Sequence, residues 1–297
     1  MDTLKSCRLC PRECGVNRNN ALGFCNAGEK IKIARAALHQ WEEPPISGTH
    51  GSGTVFFSGC NLKCVYCQNV DISHQVFGKE VSVERLREIF LELQALGAHN
   101  INLVSPTSYI PRICDAIDSV RNKIKIPFVY NTGGYEKTET LSALKGYIDI
   151  FLTDIKYYSP ELSQKYSGVS DYFKYAFAAA KEMINIAGKP VMNKDGIMKS
   201  GVIIRHLVLP GCRKDSLNVI DALAQSFNKS DFILSLMSQY TPNGCLSSFP
   251  ELNRKITSFE YNSIVDAALK HGFDNAYIQN RSSAQKEYTP PFDLSGV

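Results

Sequence analysis

Thr54-Val55-Phe56-Phe57-Ser58-Gly59-Cys60-Asn61-Leu62-Lys63-Cys64-Val65-Tyr66-Cys67-Gln68-Asn69 carries the pattern that decides the fold. Val55-Phe56-Phe57 reads as a strand, Gly59 as the turn that ends it, and three cysteines follow at once with CxxxCxxC spacing. Three thiolates this close along the chain wrap a compact inorganic centre from a single loop. An iron–sulfur cube holds four irons and normally takes four cysteines, so three ligands leave one iron open. A zinc knuckle is the other reading. Zinc prefers a fourth Cys or His, for which His74 is the candidate in the following loop.

Outward from this loop, apolar strand-like runs alternate with helical patterns. Ser82 is placed to cap a helix carrying Leu86, Ile89, Phe90, Leu93 and Leu96 at helical spacing, ended by Gly97. Ile101 to Val104, Phe128 to Tyr130, Ile148 to Leu152, Val202 to Leu209, Phe232 to Met237 and Ala276 to Gln279 read as further strands. Helices are expected at Ile110 to Val120, Tyr172 to Ala187, Leu217 to Phe227 and Phe259 to Leu269. Serial βα units argue for an α/β fold, a full or partial parallel (β/α) barrel with its site at the carboxyl ends of the strands. An open doubly wound sheet is the alternative. No GxGxxG run sits at a strand–helix junction, so dinucleotide binding has no support.

Residues 1–50 are expected to form a loop-rich, cysteine-rich and metal-binding module, followed by the barrel domain over 51–297. Cys7, Cys10, Cys14 and Cys25 supply four thiolates there, with Arg8, Arg12 and Arg18 nearby to offset their charge. Zinc and a second iron–sulfur cluster both accept four cysteines, and spacing does not choose between them. Ten cysteines in 297 residues, clustered rather than spread, favour metal ligation over disulfides. A balance of 33 basic against 29 acidic residues is too mild to imply a nucleic-acid or membrane partner. No apolar targeting segment opens the chain, so a cytoplasmic location is expected.

CxxxCxxC with an aromatic residue, Tyr66, before the third cysteine resembles the signature of the radical S-adenosylmethionine (SAM) superfamily. The resemblance implies a [4Fe-4S] cluster on Cys60, Cys64 and Cys67, whose open iron is chelated by SAM. It also implies one-electron cleavage of SAM to a 5′-deoxyadenosyl radical, which removes a hydrogen atom from a substrate. Three further segments resemble the pyruvate formate-lyase activating enzyme group, in particular relatives with an amino-terminal cysteine module. They are Tyr130-Asn131-Thr132-Gly133-Gly134-Tyr135, Leu152-Thr153-Asp154-Ile155-Lys156, and Arg205-His206-Leu207-Val208-Leu209-Pro210-Gly211. By that resemblance Tyr66, Asn131, Asp154 and Arg205 contact SAM. An electron donor such as flavodoxin or ferredoxin and a small-molecule or protein substrate, including a glycyl-radical-type partner, are the implied partners.

One departure stands out. The superfamily's Gly-Gly-Glu after the second strand is replaced by Val104-Ser105-Pro106-Thr107-Ser108, where Thr107 or Ser108 is expected to meet the methionine amine. The Trp41-Glu42-Glu43-Pro44-Pro45-Ile46-Ser47-Gly48 segment also looks like this branch; a solvated acidic turn is the expectation for it, and carboxylates over the barrel mouth the alternative. Cys114 is expected in the core, and Cys212 and Cys245 as inert buried thiols, with hydrogen donation at the barrel mouth the alternative for both. The competing function is a non-catalytic iron–sulfur electron carrier or a zinc-stabilised binding module, which needs only the cysteines.

Overall fold

The computed structural model describes residues 4–243, 246–280 and 289–297. In chain order the elements are β1 (Ile31–His39), α1 (Pro44–Ser47), β2 (Ser52–Phe57), α2 (Val70–Ser73), β3 (Lys79–Val81), α3 (Val83–Ala95), β4 (Ile101–Val104) and α4 (Ile110–Val120). After these come β5 (Phe128–Thr132), α5 (Thr138–Ser142), β6 (Ile150–Asp154), α6 (Pro160–Ser167), α7 (Tyr172–Ala187) and β7 (Val191–Met192). The last are β8 (Met198–Leu207), α8 (Arg213–Ser226), β9 (Ile233–Met237), α9 (Ser258–Lys270) and β10 (Tyr277–Ile278).

Strands β2, β4, β5, β6, β8, β9 and β10 pair in that order, each parallel to the next. Every residue of β2, β4, β5, β6 and β9 is buried, as expected where both faces of a parallel sheet are covered. Alternation sorts their side chains. Phe151 joins the large core under the helices, while Ile150 and Leu152 point to the other face and pack with Val129, Ile203, Ile233 and Ile46 of α1. Short α1 therefore plugs the inner face of the sheet. The sheet remains open, with β10 and β3 at its two ends, so the barrel is partial.

Local signals explain the elements that periodicity located. Ser82 accepts the Arg85 N–H at 3.2 Å as the cap of α3, whose Leu86, Ile89, Phe90 and Leu93 are buried. Thr257 and Glu260 form a reciprocal capping box at the start of α9.

The region expected to be loops up to residue 50 differs. Irregular structure ends near residue 30, and β1 runs antiparallel to β2 as a full member of the sheet. Its sequence, Ile31-Lys32-Ile33-Ala34-Arg35-Ala36-Ala37-Leu38-His39, alternates too weakly to announce a strand, because Ala34 and Ala36 stand at buried positions that larger residues would mark. Part of its outer edge is capped by the chain's end: Ala36 N–H bonds the Ser295 carbonyl at 2.8 Å and Leu294 N–H the Ala34 carbonyl at 3.0 Å.

Candidate active site

β2 delivers the triad. After Phe57 the chain turns at Gly59 (φ 98°), a left-handed conformation that side chains resist, and a Cβ there would lie 2.7 Å from the Cys25 carbonyl oxygen. Cys60, Cys64 and Cys67 then line one wall of a cavity of roughly 590 Å³ at the carboxyl ends of the strands. That volume lies in the range of small-molecule sites, about 300–1,000 Å³.

Each triad sulfur accepts a hydrogen bond. The Leu62 N–H donates to Cys60 Sγ at 3.4 Å, the Ser167 hydroxyl to Cys64 Sγ at 3.0 Å and the Ser73 hydroxyl to Cys67 Sγ at 3.3 Å. Burial, reinforced by the neighbouring thiols, pushes Cys60 up to about 12 and raises Cys67. Both thiols therefore hold their protons more tightly than a free cysteine does, and a bound metal would have to displace them. His74 is not available as a fourth ligand: its ring nitrogens contact Ser73 Oγ at 2.8 Å and the Lys63 carbonyl at 3.1 Å. Among the described residues no three His, Cys, Asp or Glu side chains converge on a single metal ion. With His74 engaged elsewhere, three sulfurs without a fourth ligand suit a cluster that keeps one iron open, and not a zinc knuckle.

Tyr66 lines the same cavity, and its hydroxyl shares a hydrogen bond with that of Tyr157 at 2.7 Å. Tyr157 also bonds Ser167, so one chain of hydroxyls runs from Tyr66 to the Cys64 sulfur.

Across the cavity, Asn131 at the end of β5, Asp154 at the end of β6 and Arg205 on β8 meet. Arg205 Nε donates to Asp154 Oδ1 at 2.7 Å and Nη2 to Asn131 Oδ1 at 2.8 Å. Lys156 pairs with the other oxygen of Asp154. Burial would raise the Asp154 carboxyl, but Arg205 and then Lys156 outweigh it and hold the group below the usual range. Burial likewise opposes the charge on Lys156, yet Asp154 and the Cys64 sulfur keep it protonated.

The acidic turn expected to be solvated is instead inside. Glu42 Oε1 accepts from Asn102 at 3.0 Å and Asn131 at 3.2 Å, Oε2 lies 3.6 Å from Arg205 Nη1, and the Ser235 hydroxyl donates to Glu43 at 3.1 Å. Burial raises both carboxyls, with Arg205 pulling against it. The signal that could have placed them was Pro44-Pro45-Ile46, an apolar plug that drags the preceding carboxylates inward.

Thr107 and Ser108 do not line this cavity. They border a small cavity beside the amino-terminal cysteines, and the Thr107 hydroxyl donates to Glu136 at 2.6 Å. Of the Val104-Ser105-Pro106-Thr107-Ser108 segment only Val104 and Ser105 reach the main cavity, because Ser105 (φ 56°) turns the chain away from the strand axis. Cys212 is buried just before α8, away from the cavity lining, and Cys114 is partly buried against the core. Cys245 lies outside the described residues.

The family model described as Radical SAM superfamily matches residues 54–233. This chain belongs to the radical SAM superfamily. Its cofactors are therefore a [4Fe-4S] cluster and SAM. An uncharacterized protein of Methanocaldococcus jannaschii is 31% identical over 285 residues, spanning 92% of this chain and 77% of that protein. A second from the same organism is 24% identical over 308 residues, spanning 97% and 85%. A cysteine-to-alanine mutant of spore photoproduct lyase shares the fold with a TM-score of 0.50 at 13% identity, over 75% of this chain and 74% of that one. SuiB of Streptococcus suis bound to S-adenosylmethionine aligns with a TM-score of 0.47 at 14% identity, and this radical SAM chain spans only 47% of its length. Among the described residues no helix is long and apolar enough to cross a membrane.

Proposed function

We propose that this protein is a SAM-cleaving enzyme of the activating-enzyme-related branch, acting by hydrogen-atom abstraction on a carbon of a glycyl-radical-type partner protein. The observation that carries this reading is convergence: Asn131, Asp154 with Lys156, and Arg205, one from each of the three segments resembling that branch, form one bonded network facing the cysteine triad. An electron carrier needs the cysteines alone and has no use for such a wall.

When bound, the cluster and SAM supply one-electron cleavage of a carbon–sulfur bond and a radical able to take a hydrogen atom. The chain's own residues position and protect. Cys60, Cys64 and Cys67 would hold three irons, and Lys156 sets a positive charge near Cys64 that offsets the thiolates. Arg205 locks Asp154 and Asn131 in place, leaving their remaining lone pairs and N–H groups to face polar parts of SAM. Leu62, Tyr66 and Phe56 line the cavity with apolar surface that limits water. A low-potential one-electron protein such as flavodoxin or ferredoxin would serve as donor.

The test is anaerobic reconstitution with iron and sulfide, then addition of SAM and dithionite. 5′-Deoxyadenosine and methionine are expected. A cluster that cycles between redox states without cleaving SAM would refute the enzymatic reading. Absence of a glycyl-radical electron paramagnetic resonance doublet with every candidate partner, while SAM is still cleaved, would refute the substrate class alone.

A further inference from the structure

The amino-terminal thiols converge although they lie on loops. Cys7, Cys10, Cys14 and Cys25 all border one small cavity between residues 4–30 and the barrel. Gly23 lies against two of them: a Cβ there would sit in ordinary contact, 3.4 Å from Cys25 Sγ and 3.5 Å from Cys14 Sγ, so these two sulfurs flank one backbone position. Arg18 borders it too. This side chain is 2% exposed; its terminal nitrogens donate to the Ser108 and Gly28 carbonyls, yet its Nε has no partner. A buried guanidinium with an idle N–H beside four thiols is a costly arrangement unless an anionic centre takes that space.

We propose that Cys7, Cys10, Cys14 and Cys25 hold a second iron–sulfur cluster, separate from the one on the triad. Four thiolates satisfy a two-iron or a four-iron cluster equally. A tetrahedral zinc with Zn–S bonds of about 2.3 Å would draw the sulfurs to within about 3.8 Å of one another. No three of them are grouped for a single ion, just as the triad's sulfurs are not. The cavity, about 10 Å³, is closed by the thiols themselves and by Phe24. Cys14 is exposed and Phe24 is 41% exposed, with Arg12 stacked on its ring, so a cluster would displace this solvent-facing wall and not the buried sheet. Arg18 would neutralise part of the thiolate charge and give its Nε–H to a sulfur.

The experiment separates this site from the triad. The full chain with Cys60, Cys64 and Cys67 all replaced by alanine is reconstituted anaerobically with ferrous iron and sulfide. It is expected to retain iron and acid-labile sulfide in equal amounts, about two or about four of each per chain, while the unaltered protein holds about four more. Cys14→Ala in the same background is expected to reduce that iron at least twofold and to alter the electron paramagnetic resonance spectrum. Because Cys14 is exposed, this change leaves the packing alone, and circular dichroism checks the fold. A triad-free chain holding no iron and sulfide, a spectrum indifferent to Cys14→Ala, or about one zinc per chain in place of iron would each overturn the proposal.

Discussion

The molecule carries two sets of cysteines, placed by opposite means. The triad hangs from β2, a strand buried along its whole length, and its sulfurs are hydrogen-bonded by Leu62, Ser73 and Ser167. The four amino-terminal cysteines lie on turns without helix or strand, tied down by backbone bonds such as Cys7 N–H to the Val16 carbonyl at 2.9 Å. One site is set by a sheet that would fold around it regardless; the other is a loop whose order depends on what it grips. Arg12 joins them. From between Cys10 and Cys14 it donates to the Asn61 carbonyl at 2.9 Å, beside Cys60, and to the Ser167 carbonyl at 3.1 Å, whose hydroxyl reaches Cys64.

The sharpest break in this comparison is Cys64→Ala against Cys10→Ala. SAM cleavage, followed as 5′-deoxyadenosine by chromatography, is expected to fall to background in the first. In the second it is expected to drop by about tenfold to a hundredfold, the scale of a supporting contact. Equal loss would erase the distinction between the sites.

Next comes Arg205→Ala. Removing the guanidinium leaves Glu42 buried without a cation and Asp154 with Lys156 alone, a loss of about 3–5 kcal/mol in urea unfolding. Arg12→Ala, by contrast, is expected to cost about 1–3 kcal/mol, from three carbonyl acceptors left partly solvated. A larger loss at Arg12 would mean that the loop region, not the sheet, dominates stability.

The pH response sharpens the contrast further. Burial lowers His206 to about 4 against an ordinary value near 6.5, so the folded chain binds fewer protons than the unfolded one between those values. Stability from this group is complete above about 6.5 and is lost as pH falls towards 4. The loss amounts to about 3 kcal/mol at 1.36 kcal/mol per unit. His206→Gln is expected to flatten that slope, whereas Cys10→Ala leaves it unchanged because the two sites share no contact. Urea midpoints at pH 7 and 4.5 decide it.

The smallest effect is expected from Ser167→Ala. Iron content should stay the same while the triad cluster's potential, read by redox titration, becomes more negative as one hydrogen bond to sulfur is lost. An unchanged potential would show that the Ser167–Cys64 contact does not survive cluster binding.

Much of this was readable from residues alone. The strands β4 and β9 and the helices α3, α4, α7 and α9 carry clear apolar patterns, with side-chain caps on α3 and α9, and local physics is enough to place them. The triad was equally legible, since the chemistry of three thiolates is written in eight residues of chain. What escaped was β1, whose alanines hide its burial, and α6, which supplies Tyr166 and Ser167 to the triad from far along the sequence. Glu42 was misjudged because an acidic turn looks solvated until a guanidinium on β8 is known to lie beneath it. Sequence by itself determined the kind of fold and the spacing of the three triad cysteines, because both follow from short-range pattern. Only the tertiary structure decided which distant polar side chains face the cavity, and that the loop thiols share a space with Arg18. Burial and pairing between residues over a hundred positions apart are properties of the packed chain.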